Sequence, residues 1–169
     1  MILKATIEDV EALNVLINSA YRGESSKKGW TTEADLLGGI RTSAQGLTET
    51  IQTPDTTILK YVENGELLAC VMLLKKENAL YLGMLTVSPD LQGGGIGKKL
   101  LKEAENFAKE RELGKIEMTV ISVRSELIAW YERHGYVNTG KTKPFPMNDP
   151  TFGLPKQPLA FTVMEKVLV

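Results

Sequence analysis

The chain has 169 residues, 43% of them hydrophobic, and its 20 Lys and Arg nearly balance its 21 Asp and Glu, for a net charge of −1. This length predicts one domain over residues 1–169 with a single core, and the near-neutral charge gives no general reason to bind nucleic acid or an acidic membrane. The single cysteine and single histidine, Cys70 and His134, exclude an intrachain disulfide, a multi-cysteine metal site and a His-rich zinc site.

The N-terminal residues lead directly into a charged helical pattern and lack the apolar stretch of a signal peptide. The longest apolar run, residues 67–74, has eight residues, whereas a membrane-spanning helix needs about 20. We therefore expect a soluble, cytoplasmic protein with no membrane partner.

The first third of the chain reads as a short strand followed by helices. Residues 2–5 form the strand candidate, Thr6 is placed to cap a helix, and apolar residues at helical spacing continue that helix to about Tyr21. A polar loop and a second predicted helix over residues 32–40 follow, and a weak helix covers about 44–51.

The pattern then changes to strands. Residues 56–62 and 66–74 flank Asn64-Gly65, a pair typical of a tight hairpin, and 79–87 is a third strand. A helix follows from about Ile96 to Leu113, with Gly114 as its C-terminal glycine. A strand over 115–122 and a helix ending at His134-Gly135 come next. The last two strands cover 136–141 and 161–167, and a loop over 144–158 lies between them. This order predicts a mixed α/β sheet flanked by helices.

The glycine-rich loop Gln92-Gly-Gly-Gly-Ile-Gly97 leaves a predicted strand and opens a predicted helix. Glycines let backbone N–H groups approach a ligand, and a helix start attracts anions, so the loop suits a phosphate or diphosphate. Neither Walker A nor Rossmann glycine spacing fits. Lysines at 98, 99 and 102 oppose the helix dipole, which favours a multiply charged ligand. A surface turn with solvated lysines is the alternative.

Two motifs resemble the GCN5-related N-acetyltransferase (GNAT) superfamily. Gln92-x-x-Gly95-x-Gly97, after Val87-x-Pro89, resembles its acyl-CoA signature, and residues 130–136, Trp-Tyr-Glu-Arg-His-Gly-Tyr, resemble its second motif. The element order agrees over about residues 2–140 and the final strand. The resemblance implies a mostly antiparallel sheet of about seven strands flanked by helices, split between the fourth and fifth strands.

The resemblance implies acetyl-CoA as co-substrate and no metal. Acetyl-CoA would lie in the split, with the Leu85 N–H as a donor to the reacting oxygen. Arg124 stands where the family often has Asn and could still reach the ligand. The expected acetyl-CoA-binding residues are Leu85, Thr86, Val87, Gln92, Gly93, Gly94, Gly95, Ile96, Gly97, Lys98, Arg124 and Tyr131.

Tyr131 occupies the family's general-acid position and would protonate the departing thiolate; a tyrosine packed under the sheet is the alternative. Glu33 is the predicted general base and acceptor-binding residue, with Asp35 and Glu24 as alternatives. A solvated surface acid is the simpler interpretation of each one. Trp30 would line the acceptor pocket.

Two further residues have chemistry that the resemblance does not require. His134 lies in the last turn of a helix, where a capping role suits it better than that of a base. Cys70 lies within an apolar strand and reads as a small buried hydrophobe.

The resemblance predicts transfer of an acetyl group to a primary amine of a small molecule by direct attack in a ternary complex. The alternatives are a non-catalytic acyl-CoA sensor and a peptide or protein N-acetyltransferase. The loop Pro144–Pro158 would cover the acceptor side and favours a compact substrate. Dimers are common in the family, so a homodimer is a further option.

Overall fold

The computed structural model describes residues 1–21, 37–38, 41–146 and 154–168. In chain order its elements are β1 (Ile2–Lys4), α1 (Val10–Tyr21), β2 (Leu37–Gly38), α2 (Ala44–Gln52), β3 (Thr56–Glu63), β4 (Glu66–Lys75), β5 (Leu80–Val87), α3 (Ile96–Glu110), β6 (Lys115–Ile121), α4 (Ser125–Arg133), β7 (Val137–Pro144), β8 (Leu154–Pro155) and β9 (Ala160–Val167), with short 3-10 turns at Ile7–Asp9 and Pro89–Leu91.

The main sheet has seven strands in the order β1-β3-β4-β5-β6-β9-β7. Every neighbouring pair is antiparallel except β5 and β6, which are parallel. The predicted mixed sheet of about seven strands is therefore confirmed. The β3–β4 hairpin turns at Asn64 and Gly65, which both have positive φ (52° and 79°), as the hairpin signal predicts.

The main sheet opens between its fourth and fifth strands. β5 and β6 pair only through Leu80 with Ile116 and Tyr81 with Glu117, although β5 continues to Val87. On its other side β5 has an irregular register with β4, and Met84 adopts a φ of 50°, a strained value for a side-chain-bearing residue. The predicted split between the fourth and fifth strands is confirmed, and it places an opening in the middle of the sheet.

Two apolar clusters hold the sheet between helices. One joins α1 and α2 to β3 and β4 through residues such as Leu13, Ile17 and Leu47. The larger one joins α3 to the strands on either side of the split. Each fully buried aliphatic side chain contributes about 1.5–3 kcal/mol, so the clusters fix the positions of the strands that border the opening.

Helix α3 ends earlier than predicted. It stops at Glu110, not near Leu113, and the left-handed residue after it is Glu112 (φ 58°), not Gly114. The Leu113 N–H donates to the Ala108 carbonyl at 2.9 Å and the Glu112 N–H to the Lys109 carbonyl at 3.1 Å, which is a Schellman motif. Leu113 is buried as the apolar residue of this cap. Because it continues the helical spacing of apolar residues, the sequence predicted one more helical turn than the structure has.

The predicted helix over residues 32–40 is wrong at Leu37–Gly38, which form a two-stranded sheet with Leu154–Pro155. That pairing joins segments far apart in sequence, which a local periodicity cannot detect. The rest of that predicted helix lies outside the described residues. β7 also runs to Pro144, beyond the predicted 141.

Over the described ranges, no helix combines the length and apolar character needed to span a membrane.

Candidate active site

The glycine loop turns sharply between β5 and α3. Gly93 and Gly95 have φ values of 92° and 83°, a region that side-chain-bearing residues rarely adopt. The first helical hydrogen bond runs from the Lys99 N–H to the Gly95 carbonyl at 3.1 Å. The N–H groups of residues 96–98 therefore lie before the hydrogen-bonded ladder and are available to an anion, together with the positive end of the helix dipole.

Side chains on both sides keep the loop in place. The Gln92 amide donates to the Val87 carbonyl at 3.1 Å, so it ties the loop to the end of β5. A Cβ on Gly97 would lie 3.3 Å from the Trp130 ring of α4, so this glycine permits the close approach of α3 to α4. The loop is thus a fixed backbone cradle.

Above this loop lies a cavity of about 270 Å³, here called the glycine-loop cavity. The sequence-predicted acetyl-CoA residues meet in its lining, except Gly94, where a Cβ would face the Leu91 carbonyl instead. Its lining residues are Ala20, Tyr21, Leu85, Thr86, Val87, Leu91, Gln92, Gly93, Gly95, Ile96, Gly97, Lys98, Arg124, Leu127, Trp130, Tyr131 and His134.

A second cavity of about 230 Å³, the interstrand cavity, lies between the diverging ends of β5 and β6. The Tyr81 hydroxyl and the Thr119 hydroxyl meet at 2.8 Å across the split, where the strand pairing stops. Beyond that bridge the walls are mainly apolar. The two cavities share Tyr21, Leu85, Arg124, Leu127 and Tyr131, so they adjoin at one place.

Tyr131 lies at this junction and is 6% exposed. Its ring packs edge-on against Trp130 and Tyr136, at 5.1 and 5.7 Å between ring centroids. Burial raises the pKa of the Tyr131 hydroxyl far above its ordinary value, and the neighbouring tyrosines raise it further, although the Arg124 charge opposes them. The hydroxyl is therefore protonated throughout the neutral range and available as a proton donor.

Arg124 is buried at the start of α4, with 5% exposure, and its Nε lies 3.7 Å from Glu126 Oε1. It lines both cavities. His134 Nδ1 lies 2.7 Å from the Trp130 carbonyl, and its ring stacks on Trp130 at 4.3 Å. This is the geometry of a residue that caps a helix end.

Cys70 lies behind the interstrand cavity, with its Sγ 4.0 Å from the Met84 carbonyl. The thiol is fully buried, and burial raises its pKa from 9.0 to about 12. A thiol in that state is a poor nucleophile, which fits its interpretation as a small hydrophobe.

Tyr21 and Arg41 are site residues that sequence reasoning missed. The Tyr21 hydroxyl donates to the Leu85 carbonyl at 2.6 Å, which joins the end of α1 to the strand at the junction. The Arg41 guanidinium lies over the Tyr21 ring at 5.2 Å and lines the interstrand cavity. No local pattern marks either residue, because only the packing of α1 against the sheet brings them to the split.

Glu33 and Trp30, and the alternatives Asp35 and Glu24, lie outside the described residues. Within the described part of the chain, neither cavity has an Asp or Glu in its lining. That same part of the chain holds no group of three or more His, Cys, Asp or Glu residues placed to bind a metal ion.

Comparison with known proteins identifies the family. The profile of the Acetyltransferase (GNAT) domain matches residues 35–146, and the chain belongs to that family. The predicted resemblance is confirmed.

One curated relative, an amino-acid acetyltransferase of Ralstonia nicotianae, is 35% identical over 77 residues. The match covers 44% of this chain and only 16% of that protein.

Solved structures share the fold at low identity. The ribosomal-protein-S18-alanine N-acetyltransferase of Escherichia coli superposes with a TM-score of 0.73 at 16% identity, over 99% of this chain and 93% of that one. The PaiA N-acetyltransferase of Thermoplasma acidophilum, solved in complex with coenzyme A, gives 0.69 at 22% identity, over 99% and 98%.

Proposed function

We propose that this protein is an acetyl-CoA-dependent N-acetyltransferase that transfers an acetyl group to a primary amine of a small molecule by direct attack in a ternary complex. The observation that carries the proposal is the meeting of two cavities at Tyr131, one above an anion-binding loop and the other between two strands. A thioester carbonyl at that junction would be open to each cavity. The family membership and the sequence motifs support the same activity.

The glycine loop suits the diphosphate of acetyl-CoA. Successive backbone N–H groups at a helix start, together with the positive dipole end, favour a diphosphate strongly. The residues proposed to bind acetyl-CoA are those of the loop, the end of β5, Arg124 and Tyr131. Gly94, which is not in the lining of the cavity, would contribute through its backbone.

Tyr131 is proposed as the general acid. In the reaction the amine nitrogen bonds to the thioester carbon, the carbon–sulfur bond breaks, and the thiolate takes a proton. Tyr131 is buried and lies at the junction of the cavities, beside the proposed position of the thioester, which supports this role. The elevated pKa also means that Tyr131 cannot serve as the base. The Leu85 N–H is proposed as the donor to the carbonyl oxygen.

Glu33 is proposed as the general base that removes a proton from the amine, and Trp30 is proposed to line the acceptor pocket. Both rest on the sequence alone. The described walls of the cavities supply no carboxylate, which is consistent with a base that comes from the segment between α1 and β2.

The acceptor is proposed to be compact. The described walls of the interstrand cavity enclose about 230 Å³, which suits a small acceptor. Phe145, the first residue after β7, is 6% exposed and lines this cavity, so its ring narrows the acceptor side. A peptide or protein acceptor, as named for the E. coli neighbour, would need a more open groove.

We further infer a single domain over residues 1–169 that acts in the cytoplasm without nucleic-acid or membrane partners, as a monomer or a homodimer.

The test combines calorimetric binding of acetyl-CoA with release of free thiol across a panel of primary amines. Binding together with amine-dependent thiol release and an acetylated product would support the enzyme. Tight binding without turnover on any amine would support the sensor instead. Turnover restricted to peptide amines would support the third alternative.

A further inference from the structure

The interstrand cavity has a charge pattern that bears on the identity of the acceptor. Its described lining contains two arginines, Arg41 and Arg124, and no carboxylate. Arg124 also lines the glycine-loop cavity, at the junction where the acetyl group would lie, whereas Arg41 lines the interstrand cavity alone. Arg41 is therefore the cation placed to contact an acceptor away from the reacting carbonyl.

Arg41 is held in position before any ligand arrives. The backbone N–H groups of Arg41 and Thr42 donate to Asn18 Oδ1 at 2.7 and 3.1 Å, and Asn18 Nδ2 donates to the Thr42 carbonyl at 3.0 Å. The guanidinium rests over the ring of Tyr21, whose hydroxyl is itself bonded to β5. The hydrogen bonds fix the backbone from which the side chain extends, and the ring supports the planar guanidinium, whose paired N–H groups match the two oxygens of a carboxylate.

Much of the remaining lining of the same cavity is apolar. Met84 and Met118 contribute from β5 and β6, and Phe145 and Phe161 add aromatic rings that lie 5.2 Å apart. An acceptor that fits this cavity combines one negative charge, facing Arg41, with an apolar body that faces the methionines and phenylalanines.

The two arginines also bear on which acceptors this cavity accommodates. A polycationic acceptor would be repelled, whereas an acceptor that carries its own carboxylate offsets the arginine charge.

We propose that the acceptor is a free α-amino acid with an apolar side chain, and that Arg41 binds its carboxylate. This inference rests on the proposed acetyl transfer and names its substrate class. Arg41 would act in substrate recognition and not in the chemical step.

The experiment compares L-phenylalanine, L-phenylalaninamide and phenethylamine as acceptors by thiol release at saturating acetyl-CoA. All three have the same phenylethyl group and amine. The carboxylate is charged in phenylalanine, replaced by a neutral amide in phenylalaninamide and absent from phenethylamine. We expect kcat/KM for phenylalanine to exceed that for the other two by about 10- to 100-fold, the range of a charge-assisted contact. Equal or faster turnover of the amide would point to a peptide N-terminus, and of phenethylamine to a simple amine; either result overturns the proposal.

Variants locate the effect. Arg41→Gln should raise the KM for phenylalanine about 10-fold or more, leave its kcat within about 3-fold, and leave kcat/KM for phenethylamine nearly unchanged. Arg41→Lys should restore part of the preference. Arg111→Gln is the matched control, since Arg111 lies over Phe107 on α3 and lines neither cavity.

Two failures are distinguishable. If Arg41→Gln lowers kcat/KM for all three acceptors alike, or for none, the assignment of Arg41 is wrong while acetyl transfer stands. If the wild-type protein binds acetyl-CoA but acetylates no amine, the proposed function itself fails and the acceptor inference fails with it.

Discussion

The two cavities that meet at Tyr131 are built in different ways. The glycine-loop cavity takes most of its lining from two short runs of sequence, residues 85–98 and 124–134, and its proposed anion site consists of backbone N–H groups. The interstrand cavity takes its lining from α1, the segment before α2, the two strands of the split, α4 with the residue before it, the residue after β7, and β9.

This difference teaches where sequence motifs arise. A site made of backbone groups constrains the residues that allow the backbone its conformation, here glycines with positive φ, so it leaves a compact motif. A site made of side chains from distant segments requires only a suitable shape and charge. Many residue types meet that requirement, so such a site leaves no compact motif.

The largest expected effect lies at the junction. Tyr131→Phe removes the proposed proton donor while keeping the ring, so kcat should fall by about 100-fold or more, and the Kd for acetyl-CoA should change less than about 3-fold. Steady-state thiol release and calorimetry measure the two quantities. An unchanged kcat would remove Tyr131 from the acid role and favour the interpretation of a packed core tyrosine.

Next is the glycine-loop cavity itself. Gly95→Asp forces a side chain at a φ of 83° and adds a negative charge beside the proposed diphosphate site, so acetyl-CoA binding should weaken by about 30- to 100-fold. Gly95→Ala carries the strain without the charge and should weaken it less. Gly114→Asp is the control, because Gly114 lies in open space without a positive φ. Equal affinity in all three would contradict the loop assignment.

A smaller effect concerns Cys70, behind the interstrand cavity. Its folded pKa of about 12 exceeds the ordinary value of 9.0, so the unfolded chain loses the thiol proton first as pH rises. Stability is then fully present below about pH 9 and should fall by about 1.4 kcal/mol per pH unit above it. Between pH 8 and 10, the free energy of unfolding in urea should decline less for Cys70→Ala than for wild type; equal declines would show that the thiol is not the group responsible.

The smallest expected effect lies at the hydroxyl bridge across the split. A double-mutant cycle of Tyr81→Phe and Thr119→Val should give a coupling of about 0.5–1.5 kcal/mol in unfolding and raise the KM of the acceptor. The Ser122–Thr162 pair is also 2.8 Å apart but lines neither cavity. The same cycle there should show similar coupling with KM unchanged. A KM shift in both cycles would mean that general destabilisation, not the bridge, affects the cavity.

The fold was predictable where local signals and tertiary partners agree. Turn chemistry predicts the Asn64-Gly65 hairpin. Apolar periodicity predicts the helix after the glycine loop, the strand before that loop and the strand after that helix. Prediction failed at Leu37–Gly38, where a strand partner over a hundred residues away decides the conformation. It also failed at the end of α3, where Leu113 keeps the helical spacing but anchors a cap.

The site divides in the same way. Motifs singled out the glycine loop and Tyr131, which the structure places around one cavity, whereas no motif singled out Tyr21 or Arg41, because packing alone brings them to the split.

The sequence by itself determined most of the elements, the family and the place of the glycine loop, since these depend on short-range backbone requirements that glycines, caps and periodic apolar residues record. The tertiary structure alone decided that β5 and β6 separate after Tyr81, that two cavities adjoin at Tyr131, and that Arg41 faces one of them. Those features depend on distances between residues remote in the chain, and close packing sets such distances only when the whole core assembles.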